Sequence, residues 1–464
     1  MNILILNGSP RGNNSITLQT VFYLQKIHPE HNFTILQVGQ RIRRYEKDFK
    51  EALVDFENAE LVLFAYPVYT FIVPYQLQRF IELMKEHHVQ LQGKFASQVS
   101  TSKHFYDITA HKFIEEICSD FKMNYVQGLS ADMDDLLEKK GQKQAEDYFK
   151  QLIFNIENNI YKPHRGASTI KNNTSYEAVL PERPKLNGND VVIVTNYAET
   201  DVNLQNMIAD FCNILPYPSA VVNLRNYPFS GGCLGCFSCA TSAKCVHKDG
   251  FDDFLRQEIQ TADALVYAFT IENHYTHSSF KLYDDRQFCN GHRMLTIGLP
   301  IGFIISGDYR GEANLQTIIE ARSEVGGCYL SGIATDEEDT VKAITSLSKS
   351  VAYALEHRPS RPQNFYGVGG TKIFRDLIYL MQGLMKADHK FYKHHKIYDF
   401  PQKQRLKILK MHLIGCLMSI PAMQKGMKGK MNKVIVAPYK KVIAAAVPSR
   451  IPNTEELTLR GGKA

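Results

Sequence analysis

The chain has 464 residues, 44% of them hydrophobic, with 54 Lys/Arg against 48 Asp/Glu; this excludes a disordered or fibrous protein and predicts two or three domains with buried cores. Its 9 cysteines are an odd number and four of them cluster, which argues for metal-binding or reactive thiols rather than a disulfide framework. No run of 18 apolar residues occurs, and the start, MNILILNGSPRG, lacks a charged leader and a cleavage site, so a soluble, cytoplasmic protein is expected.

The charge is unevenly spread. From His357 onward there are 21 Lys/Arg against 5 Asp/Glu, and before it 33 against 43, so a basic tail follows an acidic body.

In chain order, the apolar run Asn2 to Asn7 leads into Gly8-Ser9-Pro10-Arg11-Gly12-Asn13-Asn14-Ser15 and then a helical pattern from Ile16 to Ile27, which reads as strand, loop, helix. Strand-like runs follow at Phe33 to Val38, Ala59 to Ala65, Phe95 to Ser100 and Asn124 to Leu129, with helical stretches at Phe49 to Phe56, Gln76 to His87, Ala110 to Phe121 and Lys143 to Ile160. Five strands alternating with helices predict a doubly wound parallel sheet over residues 1–161. A glycine-serine loop between the first strand and its helix is a phosphate site, because backbone N–H groups and the helix N-terminus converge there. The loop is neither G-x-G-x-x-G nor a P-loop, so a phosphomononucleotide fits better than a dinucleotide or a triphosphate.

Residues 162–189 are polar and carry Pro163, Pro181 and Pro184, which reads as a linker. Residues 190–356 then repeat the first pattern. Strands are expected at Asp190 to Thr195, Ser219 to Leu224, Ala262 to Phe269, Ile301 to Ser306 and Cys328 to Gly332, with helices at Val202 to Ile214 and Phe251 to Gln260. The run Asn58-Ala59-Glu60-Leu61-Val62-Leu63-Phe64-Ala65-Tyr66 aligns with Thr261-Ala262-Asp263-Ala264-Leu265-Val266-Tyr267-Ala268-Phe269 at an offset of 203, whereas Asn2 aligns with Val191 at 189. The second copy therefore carries an addition between its first and third strands. Cys233, Cys236, Cys239 and Cys245, spaced C-x2-C-x2-C-x5-C, lie within it. Gly231, Gly232 and Gly235 let this stretch coil, and soft thiolates in such a run suit an iron-sulfur cluster or zinc. At the place of the phosphate loop the second copy has Glu199 and Asp201, carboxylates that repel a phosphate. Asn273, His274, Tyr275, His277 and Ser278 follow its third strand and are candidates to border a pocket between the copies; His247 and Arg310 are weaker candidates for the cluster and for a nicotinamide phosphate.

From His357 to Ala464 helices are expected at Ile373 to Met385, Arg405 to Met418 and Met431 to Ala446. Charges interleave with Leu, Ile and Met there, which makes amphipathic helices. They serve as a cap on the acidic body or as a surface for an anionic membrane or an acidic carrier; no nucleic-acid partner is expected.

The string GSPRGNNS after a first strand, with Tyr66-Pro67-Val68-Tyr69 after the third, resembles the flavodoxin-like NAD(P)H-dependent FMN reductases and quinone reductases. That resemblance implies that Ser9, Arg11, Asn13 and Ser15 hold an FMN phosphate, that Pro67, Val68, Tyr69 and Thr70 line the isoalloxazine ring, and that Thr101 and Ser102 in the loop Thr101 to His104 close its other side. Joined to the cysteine run, it resembles the iron-sulfur flavoproteins and implies a [4Fe-4S] cluster on Cys233, Cys236, Cys239 and Cys245. The expectation is thus an α/β chain of two tandem flavodoxin-like, doubly wound, parallel five-stranded sheets with a helical C-terminal extension over 357–464. It is a fused pseudo-dimer whose second copy presents the cluster to the FMN of the first. The implied activity is electron transfer between NAD(P)H, FMN and an acceptor such as a quinone, a small electrophile or a carrier protein, with a homo-oligomer as one arrangement. A plain reductase with structural or zinc-bound cysteines, and a non-catalytic electron carrier docking through its tail, are the alternatives; no catalytic residue is singled out.

Overall fold

The computed structural model describes residues 1–163, 175–188, 190–422, 425 and 437. Within the first half, strands β1 (Asn2–Asn7), β2 (Asn32–Leu36), β3 (Leu61–Pro67), β4 (Phe95–Ser102) and β5 (Asn124–Tyr125) pair in parallel in the order β2-β1-β3-β4-β5, and a short β6 (Leu129–Asp132) pairs with β4. Central strand β3 is apolar and buried from Leu61 to Tyr66, because helices cover both faces of a parallel sheet.

The second half repeats this order. Strands β7 (Val191–Thr195), β8 (Ser219–Asn223), β9 (Ala264–Glu272), β11 (Pro300–Ser306) and β12 (Tyr329–Thr335) are arranged β12-β11-β9-β7-β8, and the short β10 (Tyr275–Thr276) pairs antiparallel with β9. Both sheets therefore run 2-1-3-4-5 in their own strand numbering, parallel and doubly wound as the alternating pattern predicted. The sixth strand of each was not expected. Asn124 to Leu129, read as one strand, is two short ones.

Each half has a cluster of its own on one face of its sheet, and a third is shared between them. The shared cluster of buried side chains runs from Leu4, Tyr66 and Phe80 of the first copy to Phe280, Phe303 and Leu315 of the second. At their junction, helix Tyr75–Glu86 packs beside helix Ser278–Arg286, and the contacts are reciprocal at the offset of 203. Buried Glu82 accepts hydrogen bonds from the Ser278 amide (2.7 Å) and hydroxyl (2.6 Å). Buried Asp285 accepts from the Tyr75 amide (2.7 Å) and the Thr70 hydroxyl (3.0 Å). Gln78 and its counterpart Lys281 both donate across the junction, though to carbonyls that do not correspond, those of Thr276 and Tyr69 (2.9 Å). The turns after β3 and β9 match too. Thr70 and Phe71 have φ of +44° and +73°, Asn273 and His274 have +52° and +63°, and Tyr69 pairs with Ile72 as Glu272 pairs with Tyr275. Contact of residue i with j repeated as j with i is the signature of a two-fold interface, here between two halves of one chain.

The body, Met1–Ile397, ends in helices Phe365–Leu380 and Lys386–His394. Tyr106 donates to the carbonyl of Tyr366 (2.7 Å). Asp388, fully buried, accepts from the amide of His292 (3.2 Å) and sits 3.0 Å from its Nδ1. The second compact unit, Tyr398–Ala464, holds helix Arg405–Met418 and a preceding turn, where the Lys403 ammonium lies over the rings of Tyr398 and Phe400 at 5.6 and 5.0 Å. The helix expected over Met431 to Ala446 lies outside the described residues, Ala437 apart. No helix among the described residues is long and apolar enough to cross a membrane.

Candidate functional site

The loop from Gly8 to Ser15 is braced from below by Asn7 at the end of β1. Its side-chain amide donates to the Gly12 carbonyl (3.1 Å) and to Gln37 (2.8 Å), while its oxygen accepts from the Ser9 amide (3.2 Å). Gly12 has φ +54°, and a Cβ there would lie 2.5 Å from Gln40 Oε1, so only glycine fits. Ser15 caps helix Ile16–Ile27 by accepting from the Leu18 amide. That helix start, with Ser9 and Arg11 beside it, is an anion cradle: first-turn N–H groups have no partner within the helix, and the dipole favours negative charge.

The turn after β3 forms the second wall. Val68 donates from its amide to the Thr101 carbonyl (3.2 Å), and the Thr101 hydroxyl donates to that of Thr17 (2.6 Å). Ser102 accepts from the His104 amide (2.9 Å). The ring of Tyr69 meets Phe288 of the second copy edge-on at 5.6 Å, and burial raises its hydroxyl well above the ordinary tyrosine value.

The cysteine loop forms the third wall. Positive φ at Gly235, Phe237 and Ala243 (+62°, +61° and +59°) coils it around the short helix Ser238–Ser242. A Cβ at Gly235 would fall 2.1 Å from the Tyr69 hydroxyl, and one at Gly232 2.7 Å from the Tyr75 ring, so glycine is required where this loop meets the first copy. Arg11 donates to the Gly235 carbonyl and lies 5.6 Å from the Phe237 ring centre. Arg43 donates to the carbonyl of Ser230. At the loop's base, Arg286 holds Asp249 by two bonds of 2.7 Å and donates to the Gly231 carbonyl (2.9 Å). Burial alone would raise the Asp249 carboxyl, but the Arg286 guanidinium and the Ser230 donors hold it well below the usual range. Burial pushes the Cys233 thiol well up and Cys239 to about 11.

These walls enclose one cavity of about 420 Å³, within the usual size of small-molecule sites, roughly 300–1,000 Å³. Of the residues expected from sequence, Ser9, Arg11, Ser15, Pro67, Val68, Tyr69, Thr70, Thr101 and Ser102 line it, and so do Cys233, Cys236, Cys239 and Cys245. Asn13 does not line it; its side chain accepts from Gln37 (2.6 Å) on the exposed side of the loop. The acids on the wall, Asp284 and Asp285, are each paired with a cation, Arg322 and Lys281. The donor set therefore fits a phosphorylated flavin. Cys236 is exposed and the other three thiols are partly buried. Among the described residues, the three-ligand group whose atoms come within 4.8 Å of one another is Glu116, His274 and Glu312, not the cysteines.

Other candidates fall elsewhere. His274, His277 and Ser278 lie in the contact between the copies rather than on the cavity, His274 bonding Asp120 (3.1 Å) and Glu312 (3.0 Å). His247 lines the cavity and bonds Ser230 (2.9 Å) and the Gly232 carbonyl (3.0 Å). Arg310 is exposed and pairs with Glu338 (2.6 Å). In the second copy's counterpart of the phosphate loop, Asp201 accepts from the Ala198 amide (2.7 Å) and the Thr270 hydroxyl (3.3 Å), so a carboxylate already occupies donors of the kind a phosphate would use. Lys281, Asp285, Arg286 and His292 were missed from sequence. They stand in a helix and turn whose signal was the 203-residue offset itself, which carries Tyr75–Glu86 onto it.

An iron-sulfur flavoprotein of Archaeoglobus fulgidus is 25% identical over 172 residues, 35% of this chain and 77% of that protein. Three solved structures align with about a third of the chain. An FMN-dependent NADH-azoreductase from Bacillus anthracis in complex with FMN shares 10% identity over 34% of this chain and 100% of its own (TM-score 0.27). A general stress protein 14 from Treponema denticola, also in complex with FMN, shares 14% over 33% and 98% (0.27). An NAD(P)H:quinone oxidoreductase from Methanothermobacter marburgensis shares 10% over 36% and 99% (0.27). At these scores the likenesses add nothing to the strand order. Residues 1–146 match the family described as flavodoxin-like fold, and the parallel strand order of β1 to β5 is that fold.

Proposed function

We propose that the protein is an NAD(P)H-dependent FMN oxidoreductase in which a [4Fe-4S] cluster on Cys233, Cys236, Cys239 and Cys245 of the second copy serves the flavin of the first. One observation carries the reading: the anion cradle at Ser9 to Ser15, the turn at Pro67 to Thr70 and all four cysteines line the same cavity. FMN, when bound, supplies two-electron exchange with nicotinamide and one-electron exchange with a cluster. The chain's own residues do the rest. Arg11, Ser9 and the first-turn amides of helix Ile16–Ile27 neutralise the phosphate. Tyr69 and Val68 face the ring, held by the Val68–Thr101 and Lys281–Tyr69 bonds. Phe288, Phe374 and Leu377 give the cavity an apolar wall, which strengthens the electrostatics beside it. The acceptor is a quinone, a small electrophile or a carrier protein, and the setting is cytoplasmic. The basic helix Arg405–Met418 is the surface for an acidic carrier or an anionic membrane.

The test is to purify the full chain without oxygen and measure its absorption spectrum and its flavin, iron and zinc content. About one FMN and about four iron atoms per chain support the proposal. Flavin without iron reduces it to a plain reductase, and absence of flavin overturns it. Rapid bleaching of the flavin by NADH or NADPH separates an enzyme from a passive carrier.

A further inference from the structure

Helix Ser278–Arg286 carries four charged residues in nine, Lys281, Asp284, Asp285 and Arg286, and all four are 0–1% exposed. Burying charges costs several kcal/mol each unless geometry and hydrogen bonds compensate, and a well-packed apolar set would be as stable. What the charges provide here is placement. Asp285 reaches across to the first copy, accepting from the Tyr75 amide, the Thr70 hydroxyl and Lys281, while Lys281 donates to the Tyr69 carbonyl. The next residue, Arg286, points to the cysteine loop, closing its base through Asp249 and Gly231 with its guanidinium 5.1 Å from the Phe251 ring centre. One residue beyond the helix lies the turn whose Phe288 meets Tyr69.

We propose that this helix is a bracket that fixes the cysteine loop relative to the turn Pro67 to Thr70, with Asp285 and Arg286 as its two positioning residues. The assignment of those two loops to flavin and cluster rests on the function proposed above; the bracket itself rests on contacts alone. Adjacent residues in one buried helical turn cannot shift independently, so displacing one loop displaces the other. Flavin-to-cluster separation is thereby set by a rigid element rather than by two loops meeting across a cavity.

The experiment compares the full-length wild type with Asp285→Asn and Arg286→Lys, each checked for a cooperative thermal transition. The primary readout is the rate at which iodoacetamide alkylates Cys233, Cys236, Cys239 and Cys245 in metal-free protein, followed by mass spectrometry. Asp285→Asn removes bonds to Tyr75 and Thr70 of the first copy and a charge beside Lys281 and Cys233, so the deciding thiols are Cys236, Cys239 and Cys245; their alkylation should speed up several-fold, towards the tenfold that one lost interaction of about 1.4 kcal/mol represents. Arg286→Lys should in turn weaken FMN binding, read by quenching of flavin fluorescence; since Arg286 itself lines the cavity, Asp249→Asn, which loosens the same loop base from outside the lining, should weaken it too. Asp285→Asn and Arg286→Lys together should be less than additive, as for residues acting through one element. Effects confined to the loop each residue touches would overturn the bracket. Should Asp285→Asn fail to fold, Thr70→Val removes a bond to Asp285 from the other side and is judged by the same alkylation rates. If wild type binds no FMN, the proposed function fails while the alkylation arm still decides the bracket.

Discussion

Glu82 and Asp285, 203 residues apart, do the same work in mirror roles: each reaches across the junction to accept the backbone amide that begins the other copy's helix, Ser278 for Glu82 and Tyr75 for Asp285. A helix start has amides without partners inside the helix, so each carboxylate both caps a helix and ties the halves together.

Replacing Glu82 with Ala strands the Ser278 amide and hydroxyl in a buried contact. Hydrogen bonds to a charged group are worth about 1.5–3 kcal/mol, so the urea midpoint should drop by a corresponding amount with the slope unchanged. A variant as stable as wild type would show that the cap contributes nothing.

Gly235→Ala should separate the cysteine loop from Tyr69. The residue sits at φ +62° with the Tyr69 hydroxyl 2.1 Å from the position of a Cβ, so strain and overlap act together, at about 1–3 kcal/mol. The variant should melt earlier and expose Cys236 and its neighbours to alkylation. Pairing it with Tyr69→Phe, which removes the clashing oxygen, should recover part of the loss; no recovery would mean that the backbone strain dominates.

His274 bridges the copies through Asp120 and Glu312. Burial by itself would lower its pKa, but hydrogen bonds and charge from those two carboxylates raise it to about 9 from an ordinary 6.5. The folded state therefore holds the proton more tightly than the unfolded state. The stabilisation is complete below pH 6.5 and is lost as pH rises through 9. Melting temperature should fall between those values in wild type and fall less in His274→Gln; parallel curves for the two proteins would remove His274 as the cause.

Asp388 anchors helix Lys386–His394 to the turn at Gly291, His292 and Arg293. Gly291 has φ +64°, and a Cβ there would lie 2.2 Å from Asp388 Oδ1. Asp388→Ala should free this helix, at a cost of about 1–3 kcal/mol for the unsatisfied His292 amide and ring, and trypsin should then cut within Lys386 to Lys396. Unchanged proteolysis would show that Tyr392 and its neighbours hold the helix without it.

Much of this architecture was legible because it is written in local pattern. Val202–Ile214 and Arg405–Met418 match their expected bounds, and the strands fall within two or three residues of expectation, since buried parallel strands are continuous apolar runs between turn residues. The region Phe251 to Gln260, expected as one helix, is a short α-helical turn followed by a π-helical one at Leu255–Ile259. Helix Ser278–Arg286 was not predicted; charged residues such as Lys281, Asp284, Asp285 and Arg286 are ordinarily exposed, and here they are buried. Their partners Tyr69, Thr70, Tyr75 and Asp249 are distant in sequence, so no window of neighbours could show that the charges are buried. In the site, the glycine-serine loop was legible from turn chemistry and the cysteine run from spacing, while Pro67 to Thr70, Thr101 and Ser102 came only from the resemblance; the walls at Phe288, His292 and Phe374 depend on how the halves meet.

The reciprocal junction has a consequence for what a fused chain can encode. In a dimer of identical subunits every interface residue is present twice, so a buried lysine that helps beside one site is forced upon the other. Here position 78 is glutamine and its counterpart 281 is lysine. Covalent fusion lets one half carry the cation and the other go without, and so lets a two-fold frame hold two unlike ends.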